Sequence, residues 1–280
     1  KKKPENIINE ILEITGLFSS RGVNRAGWSH QTYKEFLTAW YLKQHKLPLA
    51  QIKSLLIHPE GKVVPQLYET TAWLAGMNYD VFKEIKKIEP AILLKSDLAI
   101  AYEKDREELV TILMKLYADK SLFPNAELRR NYRKLNHPGL AKQLEPYICG
   151  EYSKNTELCE EAITIATVCR VKELQNEFVR IALEPCQDLE VRIDAAYAIS
   201  HFDDNETKAK LKQLITGKNK EDDNLKSMAL MALWPNHLTS EELFANIIIP
   251  EQARGIYSEF LSDTLIKGLK AQDLPVALKW

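Results

Sequence analysis

The chain has 280 residues, with 38 Lys and Arg against 39 Asp and Glu, a net charge of -1 at pH 7 with histidine neutral. Hydrophobic residues make up 45% and charged residues 28%, ordinary values for a globular protein with material for an extensive core. The charge balance argues against a dedicated binder of nucleic acid or anionic membrane. The 10 Gly and 12 Pro leave little for turn-rich β architecture, and no apolar run nears the roughly 20 residues of a membrane-spanning helix.

The start, Lys1-Lys2-Lys3-Pro4-Glu5-Asn6, is basic but has no apolar signal-peptide core. The chain does not begin with Met and stops soon after Pro275, so both ends are expected to be cuts in a longer polypeptide. Apolar residues at 7, 8, 11, 12 and 14 predict a short amphipathic helix over 7–15, closed by Gly16. Leu17–Ser20 and Arg25–Ser29 flank Arg21-Gly22-Val23-Asn24 and read as a small hairpin. Tyr33, Phe36, Leu37, Trp40 and Tyr41 then fall at i, i+3, i+4, i+7 and i+8, one broad apolar stripe expected to face the core. Ser29 is a candidate cap for this helix, and Thr32-x-x-Glu35 has capping-box form.

Pro48 opens a helix through Ile57, and Pro65 opens another through Ala75, stopped by Gly76. Helices follow over 81–88, over 97–102 with Ser96 as cap, over 105–118 and over 126–135. The last carries Arg129, Arg130, Arg133 and Lys134 beside a Leu128/Tyr132/Leu135 stripe. These four cations are the candidate nucleic-acid contacts, a solvated outer face being the competing account.

From Pro138 the chain repeats. Asn155–Ala166, Asp188–Ile199 and Asp222–Leu233 align at offsets of 33 and 34 residues. Each copy has an aliphatic residue (Leu158, Val191, Leu225), a small one (Ala162, Ala195, Ala229) and a final apolar one (Ala166, Ile199, Leu233). Second helices follow at about 171–183, 205–216 and 240–246, with Lys218–Asp223 a charged connector. A two-helix unit of this length cannot hide its apolar face alone, so such units must stack. Asp188-x-x-Val191-Arg192-x-x-Ala195-Ala196-x-Ala198-Ile199 resembles a HEAT-type repeat, in which the Asp/Arg pair joins neighbouring units. Cys149, Cys159, Cys169 and Cys186 form no C-x-x-C pair and read as small buried thiols, suggesting a cytoplasmic chain without disulfides or a metal site.

Arg25-Ala26-Gly27-Trp28-Ser29-His30-Gln31-Thr32-Tyr33-Lys34-Glu35-Phe36-Leu37-Thr38-Ala39-Trp40-Tyr41-Leu42 resembles the aromatic-x-His-x-(Ser/Thr)-aromatic-x-Glu-(Phe/Tyr)-x-x-Ala pattern of NACHT-type STAND NTPases. These are signalling proteins that include NOD-like receptors and bacterial relatives, some acting in anti-phage defence. Trp28 stands where Phe is usual. The resemblance covers residues 7–45 and, more loosely, Asn136–Ile148.

It implies an all-α fold: a winged-helix remnant with a short β-hairpin at 1–45, a helical linker region at 46–137 and a HEAT-like α-solenoid at 138–280. It also implies that His30 donates to an ADP phosphate, with ATP or ADP held by an upstream nucleotide-binding domain and no cofactor in this chain. The implied partners are that domain, a protein ligand on the concave face of the solenoid and a ligand-induced homo-oligomer, with no membrane. The competing account of His30 is a helix N-terminal histidine satisfied by local backbone. No catalytic motif is present: Gly61-Lys62-Val63 and Gly217-Lys218-Asn219 lack the hydroxyl residue and earlier glycine of a phosphate loop, and there is no Gly-x-Ser-x-Gly elbow. A stand-alone α-solenoid scaffold is the alternative function, and a helical-repeat nucleic-acid binder a third.

Overall fold

Helical periodicity dominates the sequence, and the computed structural model follows it: the described residues are mostly helical, with one two-stranded sheet. The structure describes residues 3–23, 25–96, 102–216, 222–247, 258 and 260–280. The helix expected over 97–102 and the connector 218–223 fall largely outside them. Two compact units divide the chain, Lys1–Leu116 and Tyr117–Trp280. The boundaries drawn from sequence at 45 and 137 do not coincide with this division, which falls inside a helix.

The first unit begins with α1 (Pro4–Glu13), with Pro at its first turn, where a missing N–H costs nothing. A hairpin follows, β1 (Phe18–Ser20) pairing antiparallel with β2 (Ala26–Trp28) in the register Phe18↔Trp28, Ser19↔Gly27 and Ser20↔Ala26. Phe18 and Trp28 stack at 4.5 Å between ring centroids across the two strands. Next come α2 (Gln31–Gln44), α3 (Leu49–Leu56), α4 (Tyr68–Met77), α5 (Tyr79–Ile88) and α6 (Glu103–Ala118). Gly76 does not stop α4. Asn78 ends it instead, and its Oδ1 accepts from Asp80 N–H (3.0 Å) and Val81 N–H (3.4 Å) to start α5.

The side of α2 that is covered differs from the expected stripe. Ala39 and Leu42 are buried against α4, whose Thr71, Ala72 and Ala75 are small enough for close approach, and Phe36 meets Trp73 edge-on at 5.4 Å. Tyr33, Trp40 and Tyr41 remain exposed, Trp40 at 47% and Tyr41 at 56%. The capping box fails as well. His30 holds the N-cap position with extended backbone, and no side chain caps the helix.

The second unit contains α7 (Ala126–Arg130), α8 (Leu140–Ile148), α9 (Thr156–Val168), α10 (Gln175–Leu183), α11 (Leu189–Ser200), α12 (Asn205–Lys210), α13 (Lys212–Thr216), α14 (Asp223–Leu233) and α15 (Ser240–Asn246). The expected helix over 126–135 breaks at Asn131. Its Nδ2 donates to Glu127 O (3.0 Å), taking the carbonyl that the next turn would use, and Tyr132–Leu135 continues as a 3₁₀ turn.

The repeat register holds. Asn155, Asp188 and Asp222 each cap the helix they precede, accepting from Leu158 N–H at 3.2 Å, Glu190 N–H at 3.0 Å and Asn224 N–H at 2.8 Å. Ala162, Ala195 and Ala229 are wholly buried, as are the aliphatics Leu158, Val191 and Leu225 before them. The central helix α11 packs against α9, α10 and α14. Arg192, read from the HEAT resemblance as a link between units, donates its Nε to Ala182 O at the end of α10 (3.1 Å).

Candidate functional site

Two places collect the residues singled out by sequence, one in each unit. In the first unit the hairpin delivers the chain to α2 in a fixed direction. Ser29 N–H donates to Leu17 O (2.9 Å), and Arg21 Nη2 donates to Trp28 O (3.0 Å), tying both strands to the turn before the helix. His30 follows at the N-cap position of α2, where the backbone is extended and the first amides have no helical partner. Its carbonyl accepts from Tyr33 N–H (3.2 Å), its ring lies edge-on to the Tyr33 ring at 5.7 Å, and it is exposed. Among the described residues the imidazole makes no hydrogen bond, so both ring nitrogens are open to water or to an incoming acceptor.

In the second unit the basic segment divides. Arg129 Nε and Nη2 both bond Glu161 Oε2, at 3.1 and 2.6 Å, across from α7 to α9. Arg130 folds its Nε back to Ala126 O (3.1 Å), Arg133 is exposed, and Lys134 is half-buried. The break at Asn131 puts the second pair on a tighter turn than the first, so the four cations do not form one helical face.

Arg129 instead belongs to a buried polar cluster that was not singled out by sequence. Tyr132 donates its hydroxyl to Glu161 Oε1, and the Tyr117 and Tyr132 hydroxyls bond each other at 2.7 Å. Glu161 is only 1% exposed and thus has its two oxygens taken by a guanidinium and a phenol. Burial, and then the Glu161 charge, push the Tyr132 hydroxyl far above its ordinary range, and burial raises Tyr117. Neither phenol releases a proton near neutrality, so within the second unit the cluster ties Tyr117, α7, the 3₁₀ turn and α9 together and offers no acid–base pair.

Asp194 of α11 lies half-buried on the edge of this cluster, pushed up to about 7 by burial and by Glu160. Burial also raises Glu160, reinforced by Asp188 and Glu190. The thiols of Cys159 and Cys169 are driven up to about 12 by burial, the second donating to Tyr132 O at 3.1 Å, which leaves them inert packing groups. Cys186 is exposed, contrary to the buried position expected for it.

Elsewhere, a cleft of about 370 Å³ is lined by Trp234, Leu238, Ser240, Lys270 and Asp273. Thr239 and Glu241 also line it, and Asp273 Oδ2 accepts from Lys270 N–H at 2.9 Å. No group of His, Cys, Asp and Glu among the described residues is placed to hold a metal ion, and no helix among them is long and apolar enough to cross a membrane. Compared with protein-family models, curated proteins and solved structures, the chain gives no match.

Proposed function

We propose that this chain is the sensing and autoinhibitory C-terminal region of a STAND (NACHT-type) signalling NTPase, with the nucleotide held by a domain upstream of Lys1. The reading takes residues 1–45 as the end of a winged-helix module and the repeats from Pro138 as a HEAT-like solenoid that binds a protein ligand. One observation carries it: the motif histidine, His30, stands exposed at the start of α2, with a ring free of local hydrogen bonds, directly after a hairpin tied at both strands. A histidine so presented can donate a charge-assisted hydrogen bond to a phosphate oxygen. The competing account, a ring satisfied by its own backbone, has no such bond among the described residues.

In this reading the ADP contact of His30 belongs to the resting state. A ligand on the repeats shifts the protein toward the open state only as far as it binds that state more tightly. Exchange of ADP for ATP and assembly into an oligomer follow, in the cytoplasm. The test uses the intact protein with its upstream sequence. His30→Ala should co-purify with several-fold less bound ADP than the parent, measured by chromatography of the released nucleotide, and should signal without ligand. ADP occupancy equal to the parent's would overturn the proposed role.

A further inference from the structure

The cleft of about 370 Å³ in the second unit has walls held in place by the backbone around it. Trp234 follows α14 with its indole buried, and its Nε1 donates to Leu265 O (3.3 Å). Gly268 ends the short helix Leu265–Gly268 so close to that ring that a Cβ there would stand 2.0 Å from Nε1. A side chain at 268 would push the indole aside, so glycine is what lets this helix close one side of the cleft. On another side Thr239 and Glu242 cap α15 reciprocally, at 3.2 and 3.1 Å. The volume is that of a small-ligand pocket.

Its polar groups are left without partners. Ser240 lines the cleft, is only 8% exposed, and its hydroxyl makes no hydrogen bond among the described residues. Asp273, also 8% exposed, uses one carboxylate oxygen on the Lys270 amide and has no described partner for the other. Buried polar groups are normally paired, so two unpaired ones lining a single cleft mark a place for a partner from outside. Glu241 is exposed and in no ion pair among the described residues, whereas the next residue, Glu242, has its Oε1 bonded by Lys212 Nζ at 2.5 Å. Lys270 lines the cleft too, exposed and in an ion pair with neither carboxylate. Trp234 and Leu238, both 6% exposed, supply apolar wall.

We propose that this cleft binds a cationic head on an aliphatic stem, an ammonium or guanidinium held by Asp273, Ser240 and Glu241 with its stem against Trp234 and Leu238. The unpaired groups decide the class. A carboxylate oxygen only accepts hydrogen bonds and a serine hydroxyl can accept, so the ligand has to bring donors. An anion would meet two carboxylates, and a neutral apolar molecule would leave the buried Asp273 oxygen and the Ser240 hydroxyl unpaired and dry. A cation supplies donors and charge together, and two carboxylates against one lysine leave a charge for it to neutralise. A lysine or arginine side chain of another protein has this chemistry, and so does a free diamine. The site lies within the second unit and does not depend on the role given to His30.

The full chain is titrated at about pH 7, where amines are charged, with Nα-acetyl-lysine methylamide, cadaverine and the uncharged control 1-pentanol. Indole N–H resonances are followed by two-dimensional NMR, that of Trp234 being assigned through Trp234→Phe. A cation should shift the Trp234 resonance saturably, with a dissociation constant of about 1–10 mM, and 1-pentanol should bind roughly tenfold more weakly. Saturation by the lysine derivative alone assigns a protein side chain, by cadaverine alone a free amine, and by both a site that reads the head group. Asp273→Asn should weaken binding roughly tenfold, and Ser240→Ala and Glu241→Gln each about threefold. Should Asp273→Asn fail to fold, the exposed Glu241 still provides the charge test. No saturable shift with either cation, equal affinity for 1-pentanol, or affinity unchanged in either carboxylate variant would overturn the proposal.

Discussion

Tyr132 shows how much one hydroxyl can carry. It bridges Tyr117, at 2.7 Å, and Glu161, and its ring is wholly buried. Tyr132→Phe keeps the ring but leaves a buried carboxylate oxygen and a buried phenol each without a partner. The expected loss is about 1–3 kcal/mol, read as a lowered urea midpoint at constant slope. A midpoint equal to the parent's would mean that water replaces the hydroxyl. Little of this cluster was legible beforehand. Arg129 and Glu161 lie 32 residues apart, and an Arg-rich run beside Leu128 and Leu135 looks the same whether its charges face water or a buried acid. His30 was legible as a residue type in a motif, whereas a ring without a hydrogen bond among the described residues shows only in the structure.

Among the helices, the repeats were the most readable element because two local signals agree. An Asn or Asp cap precedes each first helix, and a small residue recurs at its contact face, at Ala162, Ala195 and Ala229. Ala195 sits fully buried on α11, which packs against α9, α10 and α14. Ala195→Leu should therefore cost about 1–3 kcal/mol by overpacking. An unshifted denaturation curve would disprove the assigned register. The stripe on α2 was read less well. Periodicity places Tyr33, Trp40 and Tyr41 on one side of the helix, but which side is covered depends on α4. On α2 Ala39 and Leu42 are buried, on α4 Thr71, Ala72 and Ala75, and the two helices pack on each other.

At the scale of the molecule, the chain divides at Leu116–Tyr117, within α6, where the sequence pattern runs on without interruption. A continuous helical period has no mark for such a division; it arises from which neighbours each turn finds, as Tyr117 finds Tyr132. The near-neutral balance of 38 cations and 39 anions hides local imbalances such as the carboxylates around Glu160 and Asp194.

The first helix has a consequence for the protein in a test tube. Ile7, Ile8, Ile11, Leu12 and Ile14 of α1 and the turn after it are all exposed, Ile14 at 76%. Water has to wet a greasy strip that a folded chain usually hides, and such strips attract one another and amphiphilic dyes. The purified 280-residue chain should enhance the fluorescence of anilinonaphthalene sulfonate while fully folded. Changing Ile8, Ile11 and Leu12 together to Ser should remove most of that signal and improve solubility. An equally bright triple variant would locate the sticky surface elsewhere.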